Sequence, residues 1–324
     1  MKNTPVVLTA FLLALSTLAL TNSAWSQSYP DKPVKIIVGF PPGTTGDVLA
    51  RIMAPRLSEG LGQPVLVENR PGAGSSIGAE IVARSAADGH TLLLSTIANT
   101  INPALYKGLS FDFSKDLAPV ALLAEVPGLL VAHPSTPANV PALIGAARIK
   151  PGEISYGSSG NGTVTHLWGE LFNVTTGATL THVPYKGSSQ AVTDNLSGRI
   201  GLLFTPASTV VSHVRAGTLR ALGVIGRQRI AALPEVPTLA EAGVAGFEAG
   251  LWFGLNAPAG TPRAIIERLN REVARVLALP ELRAQLGAQT IEPAPGTAEQ
   301  FGVLIRQETE KWSRVVQAAG VKVQ

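Results

Sequence analysis

From residue 34 onward, short runs rich in β-branched residues alternate with segments of helical period, and the alternation starts afresh near residue 129. A chain patterned this way buries its apolar faces by laying helices over sheets. Val34-Lys35-Ile36-Ile37-Val38 reads as a strand, and Phe40-Pro41-Pro42-Gly43-Thr44-Thr45-Gly46 as a loop. Val48, Leu49, Ile52, Met53 and Leu57 then share one helical face, with Pro55 expected to kink it and Gly60 or Gly62 to end it. Strands Val65-Leu66-Val67-Glu68 and Thr91-Leu92-Leu93-Leu94-Ser95 follow, separated by a helix and an Asp88-Gly89 turn. These strands are apolar without alternation, as in parallel sheets covered on both faces.

The second half repeats the plan. Strands are expected at Leu129–Val131, Ile154–Gly157, Thr181–Pro184, Ile200–Phe204 and Leu219–Val224. Helices are expected at Pro141–Arg148, opened by Asn139, at Thr163–Phe172 and at Ser188–Leu196. The tail is helical: Thr261-Pro262 reads as a cap with proline at the first position, and Thr297-Ala298-Glu299-Gln300 as a capping box. Two similar α/β halves place a cleft between them, with ligands expected at the carboxyl ends of strands.

Composition removes competing classes. The chain has 324 residues, 45% hydrophobic and 15% charged, which suits two domains and excludes disorder. It has no cysteine, so a disulfide scaffold and any thiolate metal or nucleophile site are excluded. The net charge of +4 is scattered, without the basic stripe or finger spacing of a nucleic-acid binder. Lys2, the apolar run Val6–Leu20 and Ser23-Ala24-Trp25-Ser26 read as a secretory signal peptide over residues 1–26, cleaved after Ser26. No later apolar stretch reaches the length of a membrane span, so a soluble protein in a bacterial periplasm is expected.

Three strand-to-helix junctions stand out: Phe40–Asp47, Ser95–Asn99 and Ser158–Thr163. Small residues let the backbone approach a ligand, and amides at the following helix starts attract anions. None of the three contains lysine or arginine, so an anion there is held by amides, hydroxyls and water. Singly, each reads as a turn; together, at one topological position in both halves, they favour a binding cleft. Asp47 reads most simply as a first-turn acid, and Lys186 as either a ligand contact or a solvated charge. Thr205-Pro206-Ala207-Ser208 ends a strand that could line the cleft, and His166 follows the third junction.

Catalytic motifs fail on context. Gly74-Ser75-Ser76-Ile77-Gly78 fits the nucleophile-elbow spacing, but the loop Asn69–Ala73 precedes it where a strand is needed. A dinucleotide fingerprint begun at Gly72 would need its last glycine at Ile77, and no phosphate loop is present. The five histidines are dispersed, with no pair at i, i+4, so neither metal nor cofactor is expected.

The residues also resemble a family. Tyr29–Val34, Phe40-Pro41-Pro42-Gly43, Val67–Gly74 and Ala87–Leu92 are similar to the periplasmic solute-binding proteins of tripartite tricarboxylate transporters, the Bug or TctC-like family. So are Tyr156–Gly162, His182–Gly187, Pro237–Gly243 and Ala257–Pro262. The resemblance implies an α/β, two-lobed class II periplasmic-binding-protein fold. Lobe 1 is expected over residues 27–128 plus 249–324 and lobe 2 over 129–248, with crossings near 125–132 and 245–255. It implies a monomer that captures a small carboxylate, largely through water, for membrane transporter subunits.

Transfer of the family pattern picks Phe40, Gly43, Thr44, Thr45, Asp47, Ser95, Asn99, Ser158, Asn161, Gly162, Thr163, Tyr185, Lys186 and Thr205 as ligand-binding. Two departures are Gly46, where the family often has threonine, and Thr205, where many members carry an acid. The second favours a plain mono- or dicarboxylate over an amino acid. A periplasmic receptor that signals to a sensor kinase is the alternative of the same fold. A periplasmic hydrolase is the alternative of another class, and it lacks a visible acid–base pair.

Overall fold

The computed structural model describes residues 29–247 and 249–321, so the signal-peptide expectation lies outside the described residues. The first half runs β1 (Val34–Val38), α1 (Thr45–Leu61), β2 (Val65–Asn69), α2 (Ser76–Ala83), β3 (Thr91–Thr96) and α3 (Ile97–Leu105). A short α4 (Phe113–Asp116) leads into β4 (Leu117–Val126). The second half runs β5 (Gly128–Ala132), α5 (Val140–Ile149), β6 (Ser155–Ser158), α6 (Val164–Thr176) and β7 (Thr181–Pro184). It continues through α7 (Ser188–Leu196), β8 (Leu202–Pro206), α8 (Val211–Arg215) and β9 (Arg220–Ile225). The tail adds β10 (Leu251–Pro258), α9 (Arg263–Leu277), α10 (Pro280–Ala288), β11 (Glu292–Pro293) and α11 (Ala298–Ala319).

These strands form two sheets, ordered β11-β4-β10-β3-β1-β2 and β7-β6-β8-β5-β9. The expectation of wholly parallel sheets is corrected: both are mixed. β1 pairs in parallel with β2 and β3, but β10 runs antiparallel to β3 and β4. β6 is parallel to β7 and β8, whereas β5 is antiparallel to β8 and β9. Unbroken burial reports covered faces, not direction. β10 is buried from Trp252 to Pro258 and still runs against both neighbours, because it returns to the first sheet from the second.

Only Pro127 separates β4 of the first sheet from β5 of the second. β10 is the second crossing back. α1 buries Leu49, Met53 and Leu57 and continues through Pro55 to Gly62, whose left-handed φ of 73° lets its amide close on Ser58 O. The helix stop was legible because glycine takes that conformation without penalty. The proposed Thr261 cap is corrected: its hydroxyl donates to Pro258 O at 2.7 Å, and Pro262 occupies the cap position of α9. The helix starts one residue later than expected, at Arg263.

α11 has the expected capping box, Thr297 with Gln300, and packs on β4 and α3 of the first lobe and α6 of the second. Its Phe301 ring crosses Trp252 edge-on at 5.5 Å and lies over Gly254. A Cβ at residue 254 would fall 2.0 Å from Phe301 Cζ, so only glycine fits beneath the ring. Gly254→Ala is expected to cost about 2 kcal/mol through overpacking, read as a lower urea midpoint at unchanged slope. An unchanged midpoint would mean that α11 moves freely off the sheet.

Candidate functional site

The carboxyl ends of β1, β3 and β6 open onto one cavity of about 380 Å³, lined from both halves of the chain. Phe40, Thr44 and Thr45 border it from loop one, and Asn161, Gly162 and Thr163 from the loop before α6. Six of the fourteen expected residues therefore meet at one place.

Loop one is shaped by Asp47. Its carboxylate is almost fully buried and accepts Gly43 N, Arg51 Nε and Asn69 Nδ2, each at 2.9 Å. Asn69 Nδ2 also reaches Phe40 O at 3.0 Å. Burial alone would raise the Asp47 pKa, but the bonds from Arg51, Gly43 and Asn69 together hold it below the ordinary aspartate value. Asp47 and Gly43 thus support the loop from behind and do not line the cavity. Gly43 needs its positive φ of 82° to turn its amide back onto Asp47.

The result is an open helix end. Thr44 stands at the N-cap of α1; its hydroxyl donates to Pro41 O at 2.9 Å and accepts no helix amide. The first amides of the 17-residue α1, at Thr45 and Gly46, therefore border the cavity without a partner among the described residues. The two other helices that reach the cavity carry side-chain caps, although the first two amides of α6, at Val164 and Thr165, have no partner among the described residues. Thr96 and Asn99 form a capping box on α3, and the Thr163 hydroxyl accepts His166 N on α6. Asn99 is thereby used inside the helix turn. The second junction is not a loop, since β3 ends at Thr96 and α3 starts at Ile97. Ser95 is buried and donates to Asn256 Oδ1 at 2.5 Å, away from the cavity.

The loop before α6 rests on two stacked histidines. The rings of His166 and His182 lie 3.8 Å apart at 9°. Gly162 N donates to His166 Nδ1 at 3.0 Å, and Ser158 Oγ bonds His182 Nε2 at 2.6 Å. Burial lowers the His166 pKa to about 4. Burial, then repulsion from His166, does the same for His182. Both rings are neutral at pH 7, which leaves Nδ1 of His166 free to accept. His166, just beyond the third junction, supports the loop, and Ser158 does so with it.

Tyr185, Lys186 and Thr205 lie outside the cavity lining. Tyr185 donates to Asp194 Oδ2 at 2.9 Å, and burial followed by the Asp194 charge pushes its pKa up to about 12. Lys186 is exposed. Thr205 is buried within β8 and bonds Thr209 at 2.7 Å. Sequence reasoning missed the wall built by Ile97 and Ile101 of α3, Tyr106 beyond it, and Leu251 and Phe253 of β10. Ile97 and Ile101 repeat at i, i+4 and read as core. Nothing local to β10 says that it returns beside β3. Among the described residues, no group of three or more histidine, aspartate or glutamate side chains could hold a metal ion.

Comparison with known proteins agrees with this geometry. A family model described as the tripartite tricarboxylate transporter family receptor matches residues 49–321. Protein BugT of Bordetella pertussis is 38% identical over 312 residues, covering 95% of this chain and 96% of that protein. A solved structure of Rhodopseudomonas palustris, Rpa4515 with adipate, is 36% identical with a TM-score of 0.76, covering 91% of this chain and all of that one. MatC (Rpa3494) from Rhodopseudomonas palustris with bound malate is 30% identical with a TM-score of 0.72, covering 89% of this chain and all of the other. With its two mixed sheets, its cleft and these matches over nearly its whole length, the chain belongs to the TctC or Bug family of periplasmic solute-binding receptors, of two-lobed α/β fold.

Proposed function

We propose that this protein captures a small carboxylate at the open N-terminus of α1 and delivers it to a tripartite transporter in the membrane. The observation that carries the reading is the pair of amides at Thr45 and Gly46, unpartnered among the described residues and bordering a cavity on whose wall none of those residues sets a cationic side chain. Such amides and the helix dipole select an anion. Asn161, Gly162 and Thr163 approach from the second lobe, so a bound anion contacts both lobes and favours their closure. Adipate and malate in the two related structures are carboxylates, in keeping with this chemistry.

No acid–base pair or activated nucleophile lines the cavity among the described residues, which supports binding without turnover. In this reading residues 1–26 direct export to the periplasm. The mature chain then divides into lobe 1 (27–128 and 249–324) and lobe 2 (129–248), with α11 spanning them.

The test is thermal unfolding of the ligand-stripped mature protein against carboxylates and their neutral amides. A carboxylate at 100 times its Kd adds about 2.7 kcal/mol. At roughly 2–4 °C per kcal/mol this is a shift of several degrees. The amides are expected to give none. Equal shifts from acid and amide would remove the anion site.

A further inference from the structure

α6 begins at the cavity and reaches the hinge within one turn. Gly162, Thr163 and Val164 line the cavity. Trp168, one turn beyond Val164 on the same helical face, is fully buried. Its ring lies against the first crossing between the lobes: a Cβ at Gly128 would fall 2.7 Å from both Cη2 and Cζ3 of Trp168. Its indole N–H donates to Ala249 O, at the second crossing. One side chain of lobe 2 thus touches both places where the chain passes between the lobes.

The second crossing has little else to hold it. Among the described residues, no backbone-to-backbone hydrogen bond reaches Ala249 or Gly250. A Cβ at Gly250 would meet nothing closer than 3.9 Å, so packing does not fix that link either. Order returns at Leu251 and Trp252, which pair with Val126 and Glu125 of β4. Gly250 is therefore the free joint between Ala249, tied to lobe 2 by Trp168, and Trp252, packed in lobe 1 against Phe301. The first crossing has the same plan. Pro127 O accepts Ala207 N at 2.9 Å in lobe 2, and Gly128 lies beneath the Trp168 ring.

We infer that Trp168 is the positioning residue of the hinge: it pins the second crossing to lobe 2, so that the lobes pivot at Pro127 and Gly250. A ligand held at the start of α6 then moves lobe 2 as one body. The inference rests on the lobe division and cleft proposed above. Hinges work through a few link residues that absorb the rotation, and they need rigid bodies on either side. The indole supplies that rigidity, because its donor is fixed on a large ring held by close packing. Without the N–H, the Ala249 carbonyl loses its partner and the link shifts to regain one from water. Binding would then also have to order the link, which weakens it.

The chain has no native cysteine, so labels can be placed at will. Ala86→Cys in lobe 1 and Gln190→Cys in lobe 2, both at exposed positions, carry nitroxides on the ligand-stripped mature protein. Pulsed electron resonance reads the distance between them. Trp168→Phe, which keeps an aromatic ring and loses the N–H, is expected to widen the distance distribution about twofold, as for a hinge freed at one of its two crossings. Benzothienylalanine at position 168 has the shape of tryptophan and no N–H. It is expected to widen the distribution equally, and it decides the matter if the phenylalanine variant fails to fold. Unchanged width in either folded protein would overturn the inference and leave Trp168 a core side chain, seen only as a lower urea midpoint. Thermal shifts with carboxylates judge the binding reading separately. Shifts with unchanged widths would remove the hinge role and leave binding intact; widened distributions without any shift would do the reverse.

Discussion

Asp47→Ala is expected to weaken carboxylate binding by about 100-fold and to lower stability by about 2–3 kcal/mol, although Asp47 does not line the cavity. The substitution deletes the acceptor of Gly43 N, Arg51 Nε and Asn69 Nδ2 together. Hydrogen bonds to a charged group contribute about 1.5–3 kcal/mol each, and solvent replaces part of the loss at half-exposed Arg51. The binding loss has another origin. Loop one would no longer be held in the shape that exposes the Thr45 and Gly46 amides, and binding would have to order it again. Titration calorimetry and urea unfolding measure the two effects separately. Full affinity with reduced stability would show that the loop needs no bracing from behind.

The same carboxylate carries a pH signature. Its pKa lies below the unfolded aspartate value, so its contribution is complete above that value and is lost as pH falls through the folded one. This loss belongs to strongly acid solution, below about pH 4.

The histidine pair predicts a separate loss at milder pH. His166 and His182 titrate near pH 4 in the folded protein against an ordinary value of 6.5. Between these values the unfolded chain binds more protons than the folded one, so stability rises with pH through this window. Stability is expected to fall by roughly 3 kcal/mol for the pair between pH 6.5 and 4. This is less than two full shifts imply, because His182 is half-buried and solvent screens it.

Ligand affinity should fall in the same window. A protonated Nδ1 on His166 cannot accept the Gly162 amide, and Gly162 lines the cavity. Urea unfolding at pH 7.5, 5.5 and 4.5 measures the slope. His182→Gln, which can still bond Ser158 but cannot titrate, is expected to remove about half of it. A slope unchanged by that substitution would assign the acid sensitivity to other groups.

Local signals carried far in this chain. The glycine stop after α1, the Asn139 cap of α5 and the Thr297–Gln300 capping box follow from side chains that meet the backbone within four residues. Loop one and the loop before α6 were legible as the loops that line a cavity for a similar reason. Each ends a strand and opens a helix, and that junction exposes amides whatever lies farther away. Thr261 marks the boundary of such reasoning. The helix begins at Arg263 with Pro262 at its cap, one residue beyond the reach expected of Thr261, whose hydroxyl donates to the turn.

The fold class, the two-part architecture and the polar half of the site follow from the sequence itself, because hydrophobic period, capping and turn chemistry act over a few residues. Strand direction, the uses of Asp47, His166 and Ser158, and the apolar wall were decided by tertiary structure. β10 meets β3 across more than 150 residues of chain, with Gly254 paired to Ser95. Ile97 and Ile101 have a core helix's spacing whether they face protein or ligand. A side chain's period tells how much of it leaves water, and only packing at long range determines what replaces the water.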